Sequence, residues 1–157
     1  MKNKKLIFII GTMLWTAVIF TFSLQPGEVS GELSGSILET LLGIFMPGVL
    51  ESPEKLELFH MILRKCAHFT EFMILGVLSR NAMQYMPVQF KGISTMAFCL
   101  SIAVIDETLQ LFVGGRAGRV QDVLIDSAGA LTGIVIVSMY RKNKDKNILV
   151  INQQNDI

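Results

Sequence analysis

Leu63-Arg64-Lys65-Cys66-Ala67-His68-Phe69-Thr70-Glu71-Phe72 decides how the rest of the chain is read. Arg64, His68 and Glu71 stand i, i+4, i+7 apart, so an α-helix carries all three on one face. Phe72 to Leu78 then continues without a charge. Ionised groups leading into so apolar a helix need partners or water beside them. The reading therefore turns on what the neighbouring segments supply.

Those segments are apolar as well. Of 157 residues, 51% are hydrophobic and 17% charged, with a mean hydropathy of +0.51. One domain of that composition points to a membrane. No basic patch interleaved with aromatics is present, which argues against nucleic acid as a partner. Cys66 and Cys99 fall in apolar helical stretches and read as buried packing thiols, not as a disulfide.

Upstream, Lys2, Lys4 and Lys5 precede an apolar run from Leu6 to Phe22, long enough to cross a hydrocarbon layer about 30 Å thick. A cleaved signal peptide is the alternative, but the run is long and no small-x-small cleavage site follows, so a retained first span is expected. Trp15 within it reads as packing or lipid contact. Gln25-Pro26-Gly27 ends the span. Leu33, Ile37, Leu38, Leu41, Leu42 and Phe45 share one face of a following amphipathic helix, which lies in the interface or packs on the other spans. Pro47-Gly48 stops it. Ser52-Pro53-Glu54 reads as the start of the next helix, with Ser52 as N-cap.

That helix is expected to run to about Met83 as a second span. A mid-helix Arg, Lys or Asp costs about 2.5–3.5 kcal/mol against about 0.3–0.6 returned by each Leu or Phe, so it is viable only with its charges turned to protein or water. A third span is expected from Ile93 to Phe112, then a tight turn through Gly114-Gly115-Arg116-Ala117-Gly118-Arg119. A fourth runs from Val120 to Tyr140, where Gly129 and Gly133 beside Ala130 form a small-residue surface for close packing. Residues 1–146 make the membrane domain and 147–157 a short cytoplasmic tail.

Nine Lys and Arg (Lys2, Lys4, Lys5, Arg80, Lys91, Arg141, Lys142, Lys144, Lys146) then fall on one side, and five (Lys55, Arg64, Lys65, Arg116, Arg119) on the other. The positive-inside rule places the nine, and both termini, in the cytoplasm. The expected fold is thus all-α, a four-helix transmembrane bundle with an amphipathic helix in the first extracytoplasmic loop. Gln25, Arg64, Lys65, His68, Glu71, Asp106, Glu107, Gln110, Asp122 and Asp126 then gather in the outer half, beside Arg116.

These same segments resemble the VanZ-like family of bacterial membrane proteins. The resemblance rests on Phe22-Ser23-Leu24-Gln25-Pro26, on Arg64 to Phe72, on Asp106-Glu107-Thr108-Leu109-Gln110-Leu111-Phe112 up to Arg116, and on Asp122-Val123-Leu124-Ile125-Asp126 up to Gly129 and Gly133. It covers roughly residues 10 to 140. Phe72 stands where Tyr is common and Asp126 where Asn is frequent, removing a hydroxyl and adding a charge. The resemblance implies four spans in the bacterial cytoplasmic membrane and a link to tolerance of teicoplanin, a glycopeptide that binds cell-wall precursor.

Two functions compete for the polar cluster. In the first, an enzyme acts on a lipid-linked envelope substrate, with His68 moving a proton and Glu71 or Asp106 holding its other ring nitrogen. Asp122 or Asp126 is then second base or nucleophile, and Arg64, Lys65, Glu107, Gln110, Arg116, Asp126 and Gln25 bind the ligand. In the second, a binding or scaffold protein uses the charges as a structural ion-pair network of Arg64, Lys65, Arg116 and Arg119 with the acids. A metal held by His68, Glu71, Asp106 and Glu107 lacks HExxH or CxxC spacing, and no metal is expected. A proton relay for transport lacks polar residues through the inner half.

Overall fold

Proline and glycine punctuate the chain, and between them it coils. The computed structural model describes residues 2–50 and 52–155, apart from the side chains of residues 2, 33, 47 and 148–155. Among the described residues there is no strand. The helices are α1 (Lys2–Ser23), α2 (Gly27–Phe45), α3 (Pro53–Met83), α4 (Lys91–Gln110) and α5 (Val120–Asn155), with one 3-10 turn at Pro47–Val49.

Pro26, in an extended conformation, separates α1 from α2. Pro53 and Glu54 open α3 at the end that tolerates a missing N–H and favours an acid. Ser52 occupies the cap position, but its side chain makes no capping bond. α3 then runs unbroken past Arg64 and Glu71 to Met83, as its sequence implies. α4 begins and ends two residues earlier than the span expected at Ile93 to Phe112. The bonds from Leu111 N to Thr108 O (3.2 Å), Phe112 N to Leu109 O (3.0 Å) and Val113 N to Gln110 O (3.2 Å) tighten its end ahead of Gly114 and Gly115.

α5 does not stop at Tyr140. Arg141 to Lys146 ends the apolar stretch, yet no Pro or Gly follows Gly133, so the helix continues to Asn155 through most of the segment read as a tail. Asp156 and Ile157 lie outside the described residues.

α3 sits centrally, against α1, α4 and, most extensively, α5. Backbones touch at the last interface. A Cβ on Gly76 would strike the carbonyl of Ala130; on Gly129, that of Phe69; on Gly133, that of Met73. Glycine is what permits this approach. Ile19, Phe72, Leu75, Cys99, Ile102, Ala103 and Ala130 form the apolar core beside it. Cys99 is buried, but Cys66 is exposed, because it stands on an outward flank of α3 with Ile62 and Phe69.

α2 lays Leu38 and Leu42 on Val49, Leu56, Phe59 and Leu63. Ile37, Leu41 and Phe45 of the same apolar face stay exposed, and the side chain of Leu33 lies outside the description. Among the described residues, three segments are long and apolar enough to cross a membrane: Asn3–Ser23, Lys91–Gln110 and Val120–Asn147. α3, weighed down by its charges, is not among them.

At the end of the bundle where α3 and α4 join, the polar groups are basic. Arg141 donates to the side chains of Gln84 and, at 2.7 Å, Asn81; Lys91 Nζ reaches the Gln84 carbonyl at 2.9 Å, and Arg80 Nε reaches Ser138 Oγ at 3.3 Å. At the opposite end the α4–α5 turn folds over the start of α2. Gly27 N–H donates to the Gly114 carbonyl at 3.1 Å, and Gly115 has φ +74°, a conformation glycine adopts freely. This clasp carries Arg116 over the polar ends of α1, α3 and α4.

Candidate functional site

The helical spacing that put Arg64, His68 and Glu71 on one face of α3 now has a cavity in front of it. All three line a space of about 800 Å³, closed by Gln25 from the end of α1 and by Arg116 and Arg119 from the α4–α5 turn. Gly27, Ser30, Gly31, Ser34 and Ile37 of α2 line it as well, as does His60, one helical turn before Arg64 on α3.

Beneath the cavity lies a second, closed layer. Asp106 is 1% exposed, Asp126 0%, Gln110 0% and Glu107 5%. Side chains i+3 and i+4 apart on α4 meet: Gln110 Nε2 donates to Asp106 Oδ2 and Glu107 Oε1, each at 3.2 Å. Ser23, ending α1, donates to Asp106 Oδ1. The backbone N–H of Arg119 donates to Glu107 Oε2 at 2.7 Å. From above, Arg64 donates to Gln110 Oε1 at 3.1 Å, so one amide couples cavity wall to buried carboxylates.

His68 belongs to both layers. Its Nδ1 stands 3.2 Å from Asp126 Oδ1, so Asp126, and not Glu71 or Asp106, orients the ring. The second oxygen of Asp126 is buried with no hydrogen-bond partner. One donor atom from each of His68, Asp106, Glu107 and Asp126 lies within 4.8 Å of all the others.

Electrostatically the layers are mismatched. Among the described residues, the sole side-chain pair at salt-bridge distance is His68 with Asp126. The ion-pair network expected of Arg64, Lys65, Arg116 and Arg119 is therefore not formed. Arg64 spends its guanidinium on Gln110, Arg119 meets Glu107 through its backbone, and Arg116 stays at the cavity. Burial, and then the charge of Arg64, pull the Arg116 guanidinium below its ordinary value. An anion between the two arginines would relieve that repulsion.

The VanZ/LLP1 family model matches residues 8–141, which takes in every position just described. The chain belongs to the VanZ/LLP1 family. No curated protein and no solved structure matches it. With three apolar helices of spanning length, this VanZ-type chain is a membrane protein.

Not every residue singled out in the sequence reaches the VanZ-type site. Lys65 turns to another flank of α3, among Ile62, Cys66, Phe69, Thr70 and Ile125, because one residue rotates a helix by about 100° from Arg64. Asp122 is buried at the first turn of α5; its side chain makes no hydrogen bond to the cluster and does not line the cavity. Asp126 is likewise shut off from the cavity, so neither is placed as a nucleophile for a ligand there. Conversely, Ser23 and Arg119 enter the site, and Trp15 Nε1 donates to the Glu71 carbonyl at 2.9 Å, bracing α3 from α1. A hydroxyl ending an apolar span was the available signal for Ser23. No local pattern distinguishes Trp15 from a lipid-facing indole.

Proposed function

We propose that this protein binds a phosphate- or carboxylate-bearing, lipid-linked envelope molecule on the outer face of the bacterial cytoplasmic membrane, and that this underlies tolerance of glycopeptides such as teicoplanin. The carrying observation is the cavity with Arg64 and Arg116 on its wall and His68 and Glu71 beside them. Guanidinium groups are suited to phosphate and carboxylate. The exposed apolar side chains of Ile37, Leu41 and Phe45 on α2 offer an acyl chain a surface continuous with lipid.

In this reading α3 is a fourth span and both termini are cytoplasmic. Its 31 residues reach about 46 Å, more than a bilayer core requires. Arg64, His68 and Glu71 turn to the cavity, which lowers their cost in the span, and Lys65 alone of the central charges stays on another flank, where its long side chain can reach the interface. With Nδ1 engaged by Asp126, Nε2 is the ring nitrogen left to exchange a proton with a bound ligand. Hydrolysis of a phosphoester would use it to take a proton from water and return it to the departing oxygen.

A second reading, binding without chemistry, draws on the burial of Asp106 and Asp126 away from the cavity. Both readings require the ligand. Native mass spectrometry of the purified protein should find an anionic lipid retained by the native chain and lost from the Arg64→Gln, Arg116→Gln double variant. Equal retention by both, or none by the native protein, rejects the assignment.

A further inference from the structure

We propose that His68, Asp106, Glu107 and Asp126 form a binding site for a single divalent transition cation, Mn²⁺ or Zn²⁺, beneath the cavity. The four donors come from three helices and lie within 4.8 Å of one another. Donors about 2.1 Å from a common metal stand about 3.4 Å apart in a tetrahedron and about 3.0–4.2 Å apart in an octahedron, so the side chains draw together by about 1 Å on binding.

The unpartnered oxygen of Asp126 is the second observation. Asp126 is 0% exposed, and its Oδ2 has no donor. Leaving one buried acceptor unmade is costly, and leaving a charged one unmade more so. The wider layer has the same deficit. Three carboxylates stand together with no Lys or Arg at salt-bridge distance among the described residues. Hydrogen bonds from Ser23, Gln110 and the Arg119 backbone fix the orientation of two of them without supplying charge. A divalent cation supplies it, and those donors become the outer partners that metal carboxylates usually have.

Donor chemistry narrows the ion. Three carboxylates suit hard cations, while an imidazole favours Mn²⁺ or Zn²⁺ over Mg²⁺. Neither cysteine is near: Cys66 is outward and Cys99 lies in the apolar core. Because the carboxylates are sealed from the cavity, the cation acts as a positioning element. It takes Nδ1 of His68, the nitrogen already turned to Asp126, so that Nε2 carries the ring proton and serves the ligand space as a hydrogen-bond donor, not as a base, while the cation is bound. The inference rests on the buried cluster and not on the proposed ligand, so a metal measurement and a lipid measurement fail separately.

The test uses the full-length protein in nanodiscs, stripped with chelator and titrated with Mn²⁺, Zn²⁺ and Mg²⁺. We expect one Mn²⁺ or Zn²⁺ per chain, with Mg²⁺ at least about tenfold weaker. Electron spin-echo spectra of the Mn²⁺-loaded native protein should show coupling to an imidazole nitrogen. His68→Gln should abolish that coupling, and His68→Gln and Asp126→Asn should each weaken Mn²⁺ affinity by at least about tenfold. Absence of stoichiometric binding, binding without nitrogen coupling in the native protein, or native affinity in both variants would overturn the site. The native-protein spectrum keeps the proposal testable where a variant does not fold.

Discussion

The two ends of the bundle solve opposite problems. At one, Arg80, Lys91 and Arg141 meet only neutral oxygens, those of Asn81, Gln84 and Ser138. The bonds of Arg80 and Arg141 join α3 to α5, that of Lys91 joins the start of α4 to the end of α3, and the arrangement ties the three helices together. At the other, Asp106, Glu107 and Asp126 are buried under arginines that do not pair with them, and one carboxylate oxygen has no partner. Charges that hold helices together are expected to be satisfied; charges kept for a ligand need not be until it arrives. The basic end has the character of a fastening and the acidic end that of a site.

This contrast can be broken by substitution. Arg141→Gln removes the two side-chain bonds that Arg141 makes to the α3 terminus, leaving that of Arg80 to Ser138, and should cost about 1–2 kcal/mol. Thermal unfolding in detergent checks it, and any loss of tolerance should follow the loss of protein. An unchanged melting temperature would deny the basic end its fastening role. A smaller perturbation sharpens the orientation. Gly114 has open space where a Cβ would go, unlike Gly118, whose Cβ would meet the Glu107 carbonyl. In a Cys66→Ser background, Gly114→Cys should leave stability unchanged and react with an impermeant thiol reagent from the outside. Reaction from the cytoplasm alone would invert the topology.

Much of this was legible in the sequence, for physical reasons. The extent of α3 follows from Pro53 and from the absence of a further proline before Pro87, a lone Gly76 being tolerated within it. The gathering of Arg64, His68, Glu71 and Gln110 follows from helical spacing combined with alternating span direction. Close packing at Gly129 and Gly133 was signalled by their spacing. What escaped depended on rotation about helix axes. Composition counted Lys65 and Asp122 with the cluster, but the turn of each helix sets Lys65 on another flank and leaves Asp122 outside the hydrogen-bonded group. Near-balanced charges implied ion pairs, yet the arginines end one layer above the acids. The length of α5 escaped too, because the charges that end an apolar span do not end a helix.

The most direct test of the central claim, that the acidic end is a site and not a brace, is glycopeptide tolerance of His68→Gln cells measured with the amount of folded protein in their membranes. If the acidic end is a site, tolerance falls to that of cells lacking the protein, with abundance within about twofold of native. Tolerance and abundance falling in proportion, or tolerance unchanged, would contradict it.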